Sequence, residues 1–196
     1  MKKNKNLLII FLFIFIFFIS GILILIKSQK EIKIIDKERQ KTKSACDNIK
    51  EEIKTVRGSS LEPLVLEGAK IKILPGYYQC YEIKRNDLVL YDYKGNEVPV
   101  LKIVKAIPQD TFRLVAKDND SYNLFINEKI AANSQGFPYI FNTKQSKMLF
   151  LYEKDYKAVI PQNTYLLLGD QVNGSVDSTV FGLVDKSDIL GKVEKF

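Results

Sequence analysis

The chain contains no histidine. That absence removes the Ser-His-Asp and Cys-His mechanisms and every histidine-ligated zinc site. A hydrolase built on this sequence and working by nucleophilic attack must take its base from Lys, Asp, Glu or a terminal amine. Cysteine is nearly as scarce. Cys46 and Cys80 are too few and too far apart for a Cys-x-x-Cys metal or redox site. Nothing in the sequence asks for a metal or a cofactor. The basic excess is modest: of a formal +7, Lys2, Lys3 and Lys5 supply three, leaving +4 spread over the rest. No basic stripe with interleaved stacking aromatics accompanies it, so no nucleic-acid partner is expected. A diffuse excess suits a domain beside anionic lipid headgroups, where each basic residue adds about 1 kcal/mol.

Charge is absent from Leu7 to Ile26, a run rich in Phe, Ile and Leu that follows the short basic stretch 1–6. As a helix this run spans roughly 30 Å, the thickness of a bilayer hydrocarbon core. The Leu25-Ile26-Lys27-Ser28-Gln29 sequence after it offers no small-x-small cleavage site, so an uncleaved single-pass anchor over 7–26 is expected. Lys27, Lys30, Lys33, Lys37, Arg39 and Lys41 crowd its far end, and a positive-inside count by itself keeps the large domain cytoplasmic.

Residues 27–55 form a charged juxtamembrane segment. Cys46, Ile49 and Ile53 within it and Val56 just after it fall at helical spacing and suggest a helix packed by one narrow stripe. From 56 to 196 the pattern changes. The runs Asp87–Tyr93, Val98–Val104, Phe112–Ala116, Tyr122–Ile126 and Tyr165–Leu168 favour β-structure. Turn signals at Lys94-Gly95-Asn96, Lys117–Asp120 and Asn173-Gly174 separate them. Many short strands with little helix predict a mainly β catalytic domain, with a hairpin-like insertion at about 121–162.

Three segments carry candidate chemistry. In Gly58-Ser59-Ser60-Leu61-Glu62-Pro63 a serine between Gly and Pro can sit on a rigid turn whose N–H groups face a developing oxyanion. The same residues also fit an ordinary turn. In Val98–Asp110, Lys102 lies among Val100, Leu101, Ile103 and Val104. Desolvation there would lower its pKa and make it a base, although a solvated edge lysine fits too, and Lys105 competes for the role. In Leu166–Val184 a hydrophobic strand ends at Gly169-Asp170 before a polar loop holding Ser175, Asp177 and Ser178. Two carboxylates are few for a calcium loop, and loop-ordering hydrogen bonds fit the spacing better.

Taken together, these segments resemble the bacterial type I signal peptidases. That family's Gly-x-Ser-Met-x-Pro box is matched at Gly58–Pro63, and its Gly-Asp-Ile-Val-Val-Phe-like strand at Asn86–Tyr91. Its Lys-Arg-Val-Val-Gly-Leu-Pro-Gly-Asp box is matched at Lys102–Asp110. Its last box is matched by Gly169, Asp170, Ser175, Asp177, Ser178 and Gly182. The resemblance implies a β-rich, membrane-bound serine endopeptidase that removes signal peptides from exported preproteins, cutting after small residues. By position it makes Ser60 the nucleophile and Lys102 the general base. Gly58 and the Ser60 N–H would form the oxyanion hole, Ser175 would help orient the lysine, and Asp170, Asp177 and Ser178 would order the last loop. Departures include Leu61 for Met, Ile103 for Arg, Gln109 for Gly and Gln171 for Asn.

The implied partners are signal peptides and membrane lipid, and the implied location is the plasma (inner) membrane with the catalytic domain outside the cytoplasm. In that oxidising compartment Cys46 and Cys80 are expected to pair as a disulfide. A maturation peptidase for conjugative pilins, or an inactive scaffold relative, would share the pattern; retention of both Ser60 and Lys102 argues against the scaffold.

Overall fold

The computed structural model describes residues 27, 29–37, 40, 46–94 and 98–196, in two compact units that meet after Asn48. The expected membrane anchor, Leu7–Ile26, and the Gly95-Asn96 turn lie outside the described residues. Among the described residues no helix is long and apolar enough to cross a membrane. In the first unit, residues 29–37 are helical and exposed.

The second unit, Ile49–Phe196, is mainly β. Its larger sheet holds β1 (Glu52–Thr55), β2 (Lys70–Pro75), β3 (Leu88–Tyr91), β4 (Val100–Ala106), β9 (Thr164–Leu168), β10 (Val184–Asp185) and β11 (Ile189–Lys195). These run in the order β1-β2-β11-β3-β4-β9-β10, every neighbouring pair antiparallel. A smaller sheet holds β5 (Phe112–Ala116), β6 (Ser121–Ile126), β7 (Lys129–Ile130) and β8 (Ile140–Asn142), with β6 pairing to all three others.

The helix expected over Cys46–Val56 does not form through its second half. Glu52–Thr55 is the edge strand β1, paired to β2 from Glu52↔Ile73 to Thr55↔Lys70. Ile53 is 62 % exposed while Val56 is buried, so the apparent helical stripe is divided between two environments. Ladder hydrogen bonds to β2 outweigh a stripe only one residue wide.

The stretch 121–162 also contains more than a hairpin. After β8, helix α1 (Thr143–Asp155) starts at a capping box: the Asn142 side chain accepts from the Gln145 N–H, and the Gln145 side chain accepts from the Asn142 N–H. Helix α1 buries Leu149 in the apolar cluster formed by Phe112, Leu114, Leu124, Tyr139, Phe141, Leu166 and Leu168. A second cluster joins Leu61 of the Gly58–Pro63 turn to Val56, Ile71, Ile73, Leu88, Ile103 and Val193. That cluster seats the serine turn against β2, β3, β4 and β11.

Candidate active site

The serine turn is fixed from several sides. Gly58 takes φ +84°, a left-handed value that glycine adopts without strain. Leu61 is 1 % exposed and pins the turn to the core. Glu62 N–H donates to Ser59 O at 3.0 Å, and Asp170 N–H donates to Ser60 O at 2.8 Å. The Gln171 side-chain amide spans the turn, donating to Ser59 O and to Glu62 O, both at 3.1 Å. The Ser60 N–H has no hydrogen-bond partner among the described residues. The Gly58 N–H, in contrast, is taken by Glu67 Oε1 at 3.2 Å, so Gly58 serves the site through its backbone angle.

Strand β4 brings Lys102 to this turn. Lys102 is 3 % exposed, and its Nζ lies 2.8 Å from Ser60 Oγ and 3.0 Å from its neighbour's carbonyl, Leu101 O. Burial pulls its pKa below the usual lysine value, and the Asp177 carboxylate opposes that shift without reversing it. A buried amine that titrates low and touches a serine hydroxyl can remove the proton of that hydroxyl.

The last loop frames the pair. Asp177 is fully buried: its Oδ2 accepts from Gly169 N–H (3.1 Å), Ser175 N–H (3.2 Å) and Ser175 Oγ–H (2.8 Å). Its Oδ1 accepts from Thr179 N–H (3.0 Å) and Thr179 Oγ1–H (2.8 Å), capping the short helix α2 (Ser178–Phe181). Ser178 Oγ accepts from Leu167 N–H at 2.9 Å. Ser175 therefore gives its hydroxyl hydrogen to Asp177, and the two hydrogen bonds of Lys102 go to Ser60 and Leu101. At Gly169 a Cβ would come within 2.5 Å of both Ser175 Oγ and Ser60 O, so no side chain fits between the loop and the nucleophile turn. Asp170, also fully buried, accepts from Ser134 N–H (2.8 Å) and Ser134 Oγ–H (2.5 Å). Among the described residues no group of three acidic or sulfur side chains gathers as a metal site. Both aspartates are committed to N–H and O–H donors.

Lys105, the competing base, goes elsewhere. It is buried with Nζ donating to Ala132 O at 2.8 Å, over the Tyr139 ring. Several contributors escape sequence reading. No local motif announces Ser134 or Asn133, which ties the same loop to Asp170 O at 3.1 Å; Gln171 stands in the last motif box, but its bridge to the serine turn is not legible there.

A mainly β domain that holds a serine hydroxyl against a desolvated amine, without any imidazole, has the parts of a hydrolase that activates serine by an amine. The comparisons agree with that class: the signal peptidase, peptidase S26, family model matches residues 49–196. The chain belongs to that family and is a serine endopeptidase. It is 30 % identical over 146 residues to signal peptidase IB of Staphylococcus aureus (strain COL), covering 71 % of this chain and 73 % of that protein. Signal peptidase I of Bacillus licheniformis is 29 % identical over 140 residues, covering 69 % of this chain and 70 % of that protein. A crystal structure of a signal peptidase I from Enterococcus faecalis V583 aligns at 19 % identity, covering 57 % of this chain and 97 % of that one, with a TM-score of 0.39.

Proposed function

We propose that this chain is a membrane-anchored endopeptidase that removes N-terminal signal peptides from exported preproteins, with Ser60 as nucleophile and Lys102 as general base. The observation that carries the reading is the 2.8 Å approach of Lys102 Nζ to Ser60 Oγ inside a desolvated setting. Neutral Lys102 takes the Ser60 proton as Oγ attacks the scissile carbonyl. The oxyanion is met by the Ser60 N–H. The Lys102 ammonium then protonates the leaving amine, which releases the mature protein and leaves an acyl-Ser60 ester. Water, deprotonated by the same amine, cleaves that ester and frees the signal peptide. Ser175 and Asp177 hold the loop that packs against the dyad.

Leu7–Ile26 supplies the anchor in this reading, and the domain after it lies outside the cytoplasm, where signal peptides emerge. Large domains translocate despite flanking lysines. Cys46 and Cys80 form a disulfide there. The two are the chain's full cysteine complement, and no free cysteine occurs among the described residues.

The test uses the full chain in detergent with a preprotein whose cut is mapped by mass spectrometry. Ser60→Ala and Lys102→Ala each abolish cleavage, and Ser59→Ala retains it. In spheroplasts, added protease digests the domain from outside. Full activity in Lys102→Ala rules out the lysine base, and complete protection in spheroplasts rules out the topology.

A further inference from the structure

A second lysine of β4 is unused by this chemistry. The β4–β9 ladder pairs Val104 with Leu167 and then Ala106 with Leu166, so Lys105 is the extra residue of a β-bulge. Bulges re-aim a side chain, and here they free Lys105 from strict alternation with Lys102. Its Nζ reaches Ala132 O at 2.8 Å and opens on a cleft of about 380 Å³.

The charged side chains on the wall of that cleft are Arg85, Lys105 and Lys129, all cations. Arg85 is held rigid by Asp110, through Nη1 and Nη2 at 2.7 Å each, and by Lys105 O at 3.0 Å. Asp110 also accepts from Asn127 Nδ2 and the Ile107 N–H, so its charge is spent behind the wall. The Asp170 carboxylate, which acts on Lys105 through space, has both oxygens taken by Ser134. Lys129 makes no ion pair among the described residues. Lys105 and Lys129 thus line one concavity without an ion-pair partner among the described residues, beside an Arg85 already paired to Asp110, and a bound anion would offset their like charge. Burial holds the Lys105 pKa down, and the Asp170 carboxylate opposes that shift without reversing it.

We infer that this cleft is an anion site for a phosphate group, a phosphomonoester or phosphodiester. Three cationic side chains and the Asn86 amide supply more donors than a single carboxylate uses. Ile126, Ile130 and Ala131 add an apolar wall suited to the carbon skeleton attached to such a group. Neither Ser60 nor Lys102 lines the cleft, and a binding readout does not depend on the peptidase reading.

The test reads binding and not cleavage. The full chain in neutral phosphatidylcholine nanodiscs is acetylated with a lysine-directed reagent, and rates at Lys105 and Lys129 are compared with exposed Lys147 on α1. Inorganic phosphate or glycerol 3-phosphate, against sodium chloride at equal ionic strength, slows the two cleft lysines about tenfold at ten times Kd and leaves Lys147 unchanged. Phosphatidylglycerol nanodiscs in phosphate-free buffer provide the second arm. Protection there assigns the phosphate to a lipid headgroup, and protection by the soluble phosphates alone assigns it to a soluble ligand. Lys129→Gln, an exposed change that leaves the fold intact, weakens the protection of Lys105. Equal slowing by sodium chloride, protection by acidic peptides only, or no protection in any arm overturns the proposal. So does undiminished protection in Lys129→Gln.

Discussion

Asp177→Asn separates two jobs done by one buried carboxylate. The first is structural. The carboxylate accepts five hydrogen bonds, three from backbone N–H groups (Gly169, Ser175, Thr179) and two from hydroxyls (Ser175, Thr179). An amide of the same shape keeps one acceptor oxygen and turns two N–H hydrogens toward donors. The hydroxyls can rotate to accept, but the backbone N–H groups on the amide side cannot. Hydrogen bonds to a charged group contribute about 1.5–3 kcal/mol each, so losing two gives a cost of about 3–6 kcal/mol. For a unit of this size that lowers Tm by on the order of 10 °C.

The second job is electrostatic, and its sign is opposite to what damage alone would give. Burial lowers the Lys102 pKa, and Asp177 pushes it part of the way back up by favouring the ammonium. Removing the charge lets the pKa fall further. With the neutral amine as the proposed base, kcat/KM rises with pH through the free-enzyme pKa of Lys102, and in Asp177→Asn that rising limb moves to lower pH. The assay is kcat/KM against pH on a signal-peptide substrate, run below the variant's Tm. A lower plateau is compatible with loosened geometry, but the limb position reports the pKa alone. A limb that stays in place or moves to higher pH refutes the assignment of Lys102 as the titrating base.

Three further outcomes are expected. Gln109, at φ +71° where the resembled lysine box has glycine, carries left-handed strain, so Gln109→Gly raises stability by about 0.5–1 kcal/mol; a lower denaturant midpoint at unchanged m contradicts this. Gln171→Glu keeps the shape but removes both donors to the turn, so kcat falls about tenfold with KM little changed; an unchanged kcat shows that the bridge does not position Ser60. Cys46→Ser/Cys80→Ser lowers stability, and with it Tm, by about 3–4 kcal/mol on a chain-entropy model for a closed loop of about 35 residues; two alkylatable thiols in unreduced, denatured wild type dispose of the bridge.

What could be read from sequence follows the range of the interactions. The strands over 88–91, 100–106, 112–116, 121–126 and 164–168 announced themselves because β-branched and aromatic residues between turn signals act locally. Strands β2 and β11, which complete the larger sheet beside β3, were not picked out. Each mixes lysines into its apolar positions, as in Lys70-Ile71-Lys72-Ile73, and the two pair with each other across more than 100 residues. Helix α1 was missed although its Asn142-x-x-Gln145 capping box was legible, because its apolar content is low and its buried face rests mainly on Leu149. At the site, the residues inside motifs, Gln171 among them, can be named from sequence, whereas Ser134 and the bridge made by Gln171 cannot. Their partners, Asp170 at 36 residues and Ser59 at 112 residues of separation, are neighbours only in the folded chain.

The same range argument explains how the chain departs from the resembled lysine box at Ile103 without stranding a buried charge. Ile103 is 2 % exposed and packs in the apolar cluster that seats the serine turn, so no cation follows Lys102 there. Asp170 remains fully buried beside that turn and needs donors from elsewhere. Ser134 supplies an N–H and a hydroxyl, and Asn133 fixes the Asp170 carbonyl, so the segment between β7 and β8 provides that support. That segment is itself held by Lys105, whose Nζ donates to the Ala132 carbonyl at 2.8 Å. Strand β4 therefore reaches the nucleophile by two routes. Lys102 touches Ser60 Oγ directly, while Lys105 holds the 131–134 segment, which holds Asp170, whose N–H holds Ser60 O. The bulge between Val104 and Ala106 is what lets one short strand serve both, and shifting it by one residue would disturb the base and the nucleophile turn together.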